Sequence, residues 1–238
     1  LVPLAWRAGF QSVATVPQRL DVMTPNFDIF KGIFKSAENP FSASPAALSA
    51  IQAMYPERYV VITLRQSDVQ TERNSDLVAW QHVTHWLVDR GYRVVIVPDT
   101  EAVLQGRAKS IWADECVAAS LNVDLRLALY EQAQFCLFTS GGPMTLAQFD
   151  AKIRYLTVGL VCNGIKTCEP SHLTYVGLED GANRGAHRMS LWAEDKYINI
   201  VNAIDSHSDS YLDIDYQPSV QDAFKARTHF DGHPIVAK

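Results

Sequence analysis

The sequence predicts an α/β fold, a Rossmann-like parallel sheet with helices on both faces. Three observations predict it. Four runs, YVVITLR (59–65), YRVVIVPD (92–99), FCLFTS (135–140) and IRYLTVGL (153–160), are short, continuous and rich in Val, Ile and aromatic residues, as strands buried on both faces are. Segments of helical period lie between them. Strand alternating with helix in this rhythm specifies parallel βαβ units.

Taken in chain order, Ala46–Tyr55 reads as a helix leading into the first strand. After that strand, Leu77, Trp80, Thr84 and Leu87 recur at helical spacing with Val83 and Val88 beside them. Asn74-Ser75-Asp76 supplies capping candidates ahead of this helix, and Gly91 stops it. Beyond the second strand a helix fits Val123–Ala133, where Leu125, Ala128 and Leu129 share a face. The third strand runs into two glycines and a helix over Pro143–Asp150. Following the fourth, Glu194–Ile204 carries the apolar stripe Tyr197, Ile198, Val201 and Ile204. The domain reading is an irregular N-terminal segment over 1–57, a Rossmann-like domain over 58–205 and a C-terminal extension over 206–238. Pro3, Pro17, Pro25, Pro40 and Pro45 interrupt the first segment, and 206–220 is polar and acidic.

The 238 residues are 47% hydrophobic and 20% charged, an ordinary balance for a globular protein with a substantial core. A net charge of −5, with no basic stripe interleaved with aromatics, gives no support to nucleic-acid binding. No apolar run reaches about 18 residues, so no membrane span is expected. The N-terminus lacks a signal-peptide pattern. It also lacks a Met, as a fragment or processed chain would. The four cysteines, Cys116, Cys136, Cys162 and Cys168, suit a reduced cytoplasmic protein, with a Cys162–Cys168 loop disulfide as the alternative. Their spacing is not that of a zinc knuckle. Nor do the histidines form a metal motif, and no metal or other cofactor is implied.

Ligands of parallel α/β sheets bind outside the carboxyl ends of the strands. The candidates there are Arg65 and Arg73 after the first strand, with Gln66, Ser67, Asp68 and Asn74 around them. Asp99 and Glu101 follow the second, Ser140, Gly141, Gly142, Pro143, Met144 and Thr145 the third, and Cys162, Asn163 and Gly164 the fourth. Two glycines at a helix start either ease a tight turn or let a phosphate approach main-chain N–H groups. Pro143 suits the first helical position. The segment is neither a Walker loop nor GxGxxG. An arginine at the end of a buried strand pairs bidentately with phosphate or carboxylate, or else forms a structural ion pair. Asp99 and Glu101 suit a ribose or sugar hydroxyl, or general-base work, while Asp99-Thr100 also reads as a helix cap. His187, Arg184 and Arg188 form a basic loop, ANRGAHRMS, that either faces solvent or closes over an anion.

The stretch 59–160 resembles the nucleotide-binding C-terminal half of GT-B-type glycosyltransferases. The nearest pattern is that of the lipopolysaccharide heptosyltransferases, in which a strand ends in an Asp-Thr-Gly-Pro-Met-His-Leu-Ala type sequence. Here that segment is Ser140-Gly141-Gly142-Pro143-Met144-Thr145-Leu146-Ala147. Ser140 stands where that family has Asp, and Thr145 where it has His. The resemblance implies a donor diphosphate held by Gly141, Gly142, Met144 and Thr145, with Arg65 beside it. It also implies a nucleotide sugar as donor, a glycan as acceptor, and residues 1–57 as the remnant of an acceptor domain that would supply the catalytic base. A looser likeness, through ITLRQ, ERNSDLVAW and VIVPDTE, is to bacterial proteins found with surface-polysaccharide functions. Two alternatives stand beside a glycosyltransferase: a non-catalytic binding or scaffold module of the same fold, and a sugar-nucleotide epimerase.

Overall fold

A computed structural model describes residues 41–107, 112–183 and 187–206. Its centre is β1 (Tyr59–Thr63), whose five residues are all buried. Parallel neighbours flank it, β2 (Arg93–Val97) and β4 (Phe135–Thr139), in the registers Val61↔Val95 and Val61↔Cys136. Next to β4 lies β5 (Tyr155–Val158). The four expected strands are all present, each trimmed to the residues that pair.

Three further strands were not legible as sequence patterns. They are β3 (Asp114–Glu115), β6 (Ala182–Asn183) and β7 (Arg188–Ser190). Two or three residues are too few to show a period. The Asp114-Glu115 pair joins the edge by backbone pairing to Val95 and Ile96, and Asp114 accepts from Arg93 Nη2 at 2.7 Å. The sheet order is β3-β2-β1-β4-β5-β7-β6. The first six in that order are mutually parallel, and β6 is antiparallel to β7.

Side chains of β1, β2 and β4 alternate between two apolar cores, as the twofold period of a strand requires. On one face Val60, Ile62, Val94, Ile96, Phe135 and Leu137 pack with α2 (Leu77–Asp89), led by the fully buried Trp80, and with α8 (Tyr197–Ser206). Asp76 caps α2, accepting from Ala79 N at 3.2 Å. The opposite face, carrying Tyr59, Val61, Val95, Val97, Cys136 and Phe138, is covered by α1 (Pro45–Met54), α4 (Val117–Leu121), α5 (Val123–Gln132) and α6 (Gly142–Gln148). Between α2 and α4 comes the short α3 (Thr100–Leu104), and α7 (Pro170–Tyr175) follows β5. Ala47 and Ile51 of α1 are in the second core, as are Ala43 and Tyr55 on either side of it. The segment just ahead of β1 thus packs with the sheet. The remainder of the expected N-terminal segment, and the extension beyond Ser206, lie outside the described residues.

Two local expectations are corrected. The segment read as a basic loop around His187 and Arg188 contains β7, which pairs with β5. Arg188 is turned inward, its guanidinium 5.5 Å from the centre of the Tyr155 ring and its Nη2 donating to the carbonyls of Ala147 and Gln148. Those contacts and the β5 ladder override a loop composition. Arg184 lies outside the described residues. Helix α6 begins at Gly142, one residue earlier than expected, so Pro143 takes the second helical position. Its missing N–H is harmless anywhere in a first turn. All four cysteines are free thiols.

Candidate functional site at the β1–β4 crevice

The sheet order reverses between β1 and β4, since the chain moves outward from β1 to β2 and β3 and then returns to the other side. At such a switch point the loops leaving two adjacent strands part and open a crevice.

The loop after β1 is folded tightly on itself. Arg65 N donates to Ser75 Oγ at 2.8 Å, and Ser75 N donates to Arg65 O at 2.9 Å. Asn74 closes a second ring, with Ser67 N donating to its Oδ1 and its Nδ2 donating to Ser67 O, both at 2.9 Å. Ser75 Oγ lies 3.3 Å from Thr139 Oγ1, which anchors the loop to the end of β4. Arg73 then reaches across the crevice, its Nη2 3.0 Å from Ser140 Oγ and 3.2 Å from Ser140 O. Its Nη1 donates to Gln70 Oε1 at 2.7 Å, and Gln70 holds the left-handed backbone (φ +54°) that turns the loop. Arg65 Nη2 donates to Val69 O at 2.6 Å. The Nε atoms of both arginines are buried without a hydrogen-bond partner among the described residues.

Burial, and then the neighbouring Arg73 charge, pull the pKa of Arg65 below its ordinary value, with Asp99 and Glu101 partly offsetting them. Two guanidiniums drawn out of water side by side are stabilised by an anion between them.

Asp99 is the cap of α3. Its Oδ1 accepts from Glu101 N at 2.8 Å and its Oδ2 from Gln66 N at 3.3 Å. Glu101 Oε2 accepts from Ser67 Oγ at 2.7 Å and from Asp68 N at 3.2 Å. Both carboxylates therefore hold the arginine-bearing loop in place. Asp99 also lines the crevice, whereas Glu101 does not.

Across the crevice, the glycine pair can be read atom by atom. Gly141 is fully extended (φ −176°, ψ 173°), a backbone any residue adopts, and Gly142 is the first residue of α6. A Cβ built on Gly141 would sit 3.6 Å from Pro143 Cδ, an ordinary contact, and one built on Gly142 would meet nothing within 4 Å among the described residues. Neither the turn nor the packing of the chain requires glycine at these positions. Among the described residues no side chain caps α6.

The crevice holds two hollows that share Gly141. A small one, about 100 Å³, lies between Arg65, Asp99, Thr100, Gly141 and Pro143. The larger, about 220 Å³, is lined by Arg73, Ser140, Gly141, Gly142, Met144 and Thr145, and by residues of the 160–178 segment. Of the expected residues, Arg65, Arg73, Asp99 and Ser140 to Thr145 line one hollow or the other, whereas Gln66, Ser67, Asp68, Asn74, Glu101 and Cys162 line neither. Asn163 and Gly164 are exposed and line neither.

Two participants were missed from sequence. Arg126 of α5 is buried at the small hollow, its Nε donating to Ala119 O and its Nη2 to Ser120 O. The signal was an arginine inside the otherwise apolar run LRLALY. Gln148 faces the larger hollow from the last position of α6; a polar residue on an apolar helical face was the available clue. Among the described residues no group of His, Cys, Asp and Glu could hold a metal ion, and no helix is long and apolar enough to cross a membrane.

No family model matches the chain, and no curated protein matches it. Among solved structures the chain is similar to the crystal structure of the glycosyl transferase family 9 from Veillonella parvula DSM 2008, at 11% identity and a TM-score of 0.38. The match covers 78% of this chain and 50% of that one, so the chain spans about half the length of that protein.

Proposed function

We propose that this chain is the donor-binding half of a glycosyltransferase and that the β1–β4 crevice seats the diphosphate of a nucleotide sugar. The observation that carries the reading is the bare backbone at Gly141–Gly142, which neither turn nor packing explains, facing two part-buried arginines across a topological switch point. Glycine there lets an anion come within hydrogen-bonding distance of main-chain N–H groups. Arg65 and Arg73 neutralise it, and in transfer they stabilise the charge that develops on the departing nucleoside diphosphate. Arginine and main-chain dipoles supply this without a metal ion. The sequence resemblance to GT-B enzymes supports the nucleotide sugar over other diphosphates. Asp99 and Glu101 are engaged in holding the loop, so the role assigned here is donor binding, with a cytoplasmic setting in glycan synthesis and the base supplied from outside this crevice.

The test is binding of a panel of nucleoside diphosphates and nucleotide sugars by ligand-observed NMR, with Arg65→Ala as control. A selective ligand lost in a folded Arg65→Ala protein is the expected result. Retained affinity in that variant removes Arg65 from the site. Silence across the panel from folded wild-type protein refutes the donor-site reading.

A further inference from the structure

The small hollow holds a cation to which the proposed seat gives no role. Arg126 lines it with only 8% of its surface exposed, and among the described residues no carboxylate pairs with it. Three of its five N–H donors are spent on the chain. Nε donates to Ala119 O at 2.7 Å, and Nη2 to Ser120 O at 2.9 Å and to Thr100 Oγ1 at 3.4 Å. Nη1 has no partner among the described residues, and it keeps accessible surface, unlike the sealed Nε atoms of Arg65 and Arg73. Carbonyl dipoles at the end of α4 offset part of this buried charge, and an anion would offset the rest.

Arg65 lines the same hollow, and its Nη1 also lacks a partner among the described residues. The other polar side chains of the wall are engaged. Asp99 accepts from two main-chain N–H groups. Thr63 Oγ1 lies 2.8 Å from Tyr130 Oη, Thr139 Oγ1 lies 3.3 Å from Ser75 Oγ, and Thr100 Oγ1 donates to Ser120 O at 2.7 Å. Two guanidiniums against one carboxylate leave the hollow net positive. Its volume of about 100 Å³ is the share of roughly three waters, enough for one phosphoryl group and too little for a nucleobase with its ribose.

We propose that the small hollow seats one phosphoryl group and that Arg126 is its buried ligand. Arg126 Nη1 and Arg65 donate to that group, and the second phosphoryl lies past the shared Gly141, at Arg73. The diphosphate thus bridges the two hollows with one phosphoryl in each. This inference rests on the proposed diphosphate seat and adds a third arginine and a register for the ligand.

The test is a titration of the full chain with inorganic pyrophosphate, read by arginine side-chain NMR and repeated on Arg126→Met. In the parent protein the Arg126 Nη signals should shift saturably and show a through-hydrogen-bond coupling to phosphorus. In a folded Arg126→Met protein pyrophosphate affinity should fall roughly ten- to hundredfold, the value of a hydrogen bond to a charged group. If that variant folds poorly, the coupling in the parent protein decides alone. Pyrophosphate bound with Arg65 and Arg73 signals shifted and Arg126 signals unmoved overturns the role of Arg126 alone. So does a folded but less stable Arg126→Met protein with undiminished affinity, which would leave Arg126 as a tie to the α4 carbonyls. Failure of the parent protein to bind pyrophosphate overturns the diphosphate seat and this inference with it.

Discussion

At Gly142 a missing side chain leaves main chain open to a ligand. A methyl group there meets nothing within 4 Å among the described residues, and a Gly→Ala change at a compatible backbone position stabilises by about 0.4–1 kcal/mol. Gly142→Ala should therefore fold at least as stably as the parent, while a phosphate approaching the same main chain meets the new methyl. Urea unfolding and pyrophosphate titration of the variant read the two effects separately; lowered stability with undiminished affinity would contradict the assignment. Asp150 makes an independent prediction away from the crevice. It is completely buried, its Oδ1 accepts from Lys152 N at 2.9 Å, and its Oδ2 has no hydrogen-bond partner among the described residues. Burial, with Glu131 adding to it, pushes its carboxyl up to about 6. A carboxyl raised in the folded state binds more protons there than in the unfolded chain. Its contribution is thus fully present below about pH 4 and lost as pH rises through about 6, an effect of order 2–3 kcal/mol. Asp150→Asn should remove this loss, leaving the variant more stable at pH 7.5 and little changed at pH 4. Denaturation curves at those two pH values check it. Neither residue's environment was legible in sequence, because burial of a loop carboxylate and free space around a glycine are properties of the packed chain.

The elements were more legible. Strands β1, β2, β4 and β5 announce themselves as apolar runs, and α2 by its stripe, because each buries enough side chains to show a period. The shorter β3, β6 and β7 are held by pairing with a neighbour, a contact that no local pattern records. One element joins both halves of the fold. Just ahead of α8, Asp195 Oδ2 accepts from Asp76 N at 2.8 Å and from Trp80 Nε1 at 3.0 Å, tying the approach to α8 to the start of α2. Burial raises the pKa of this carboxyl, and among the described residues its two donors have no other acceptor. Asp195→Ala should leave both unpaired, at a cost of about 1–3 kcal/mol. Amide exchange in α8 should accelerate ahead of exchange in β1 and β4. Uniform protection across the sheet and α8 in that variant would show that the apolar contacts of Ile200, Val201 and Ile204 hold the helix without the tie.

At the scale of the molecule, the position of the crevice follows from sheet order. The sequence indicated which residues leave the strands at their carboxyl ends, and it indicated parallel pairing. That β4 returns beside β1, bringing Ser140 under Arg73, is a fact of topology alone. So is the division of the crevice into two hollows at Gly141. The central claim is that this junction binds a diphosphate through bare main chain and two arginines. The most direct measurement is a titration of isotopically labelled protein with inorganic pyrophosphate, followed by backbone amide and arginine side-chain NMR. Diphosphate binding at this junction predicts saturable shifts concentrated at Gly141, Gly142 and Met144 and at the Arg65 and Arg73 guanidinium signals. Shifts confined to other surfaces, or none from the folded protein, would contradict it.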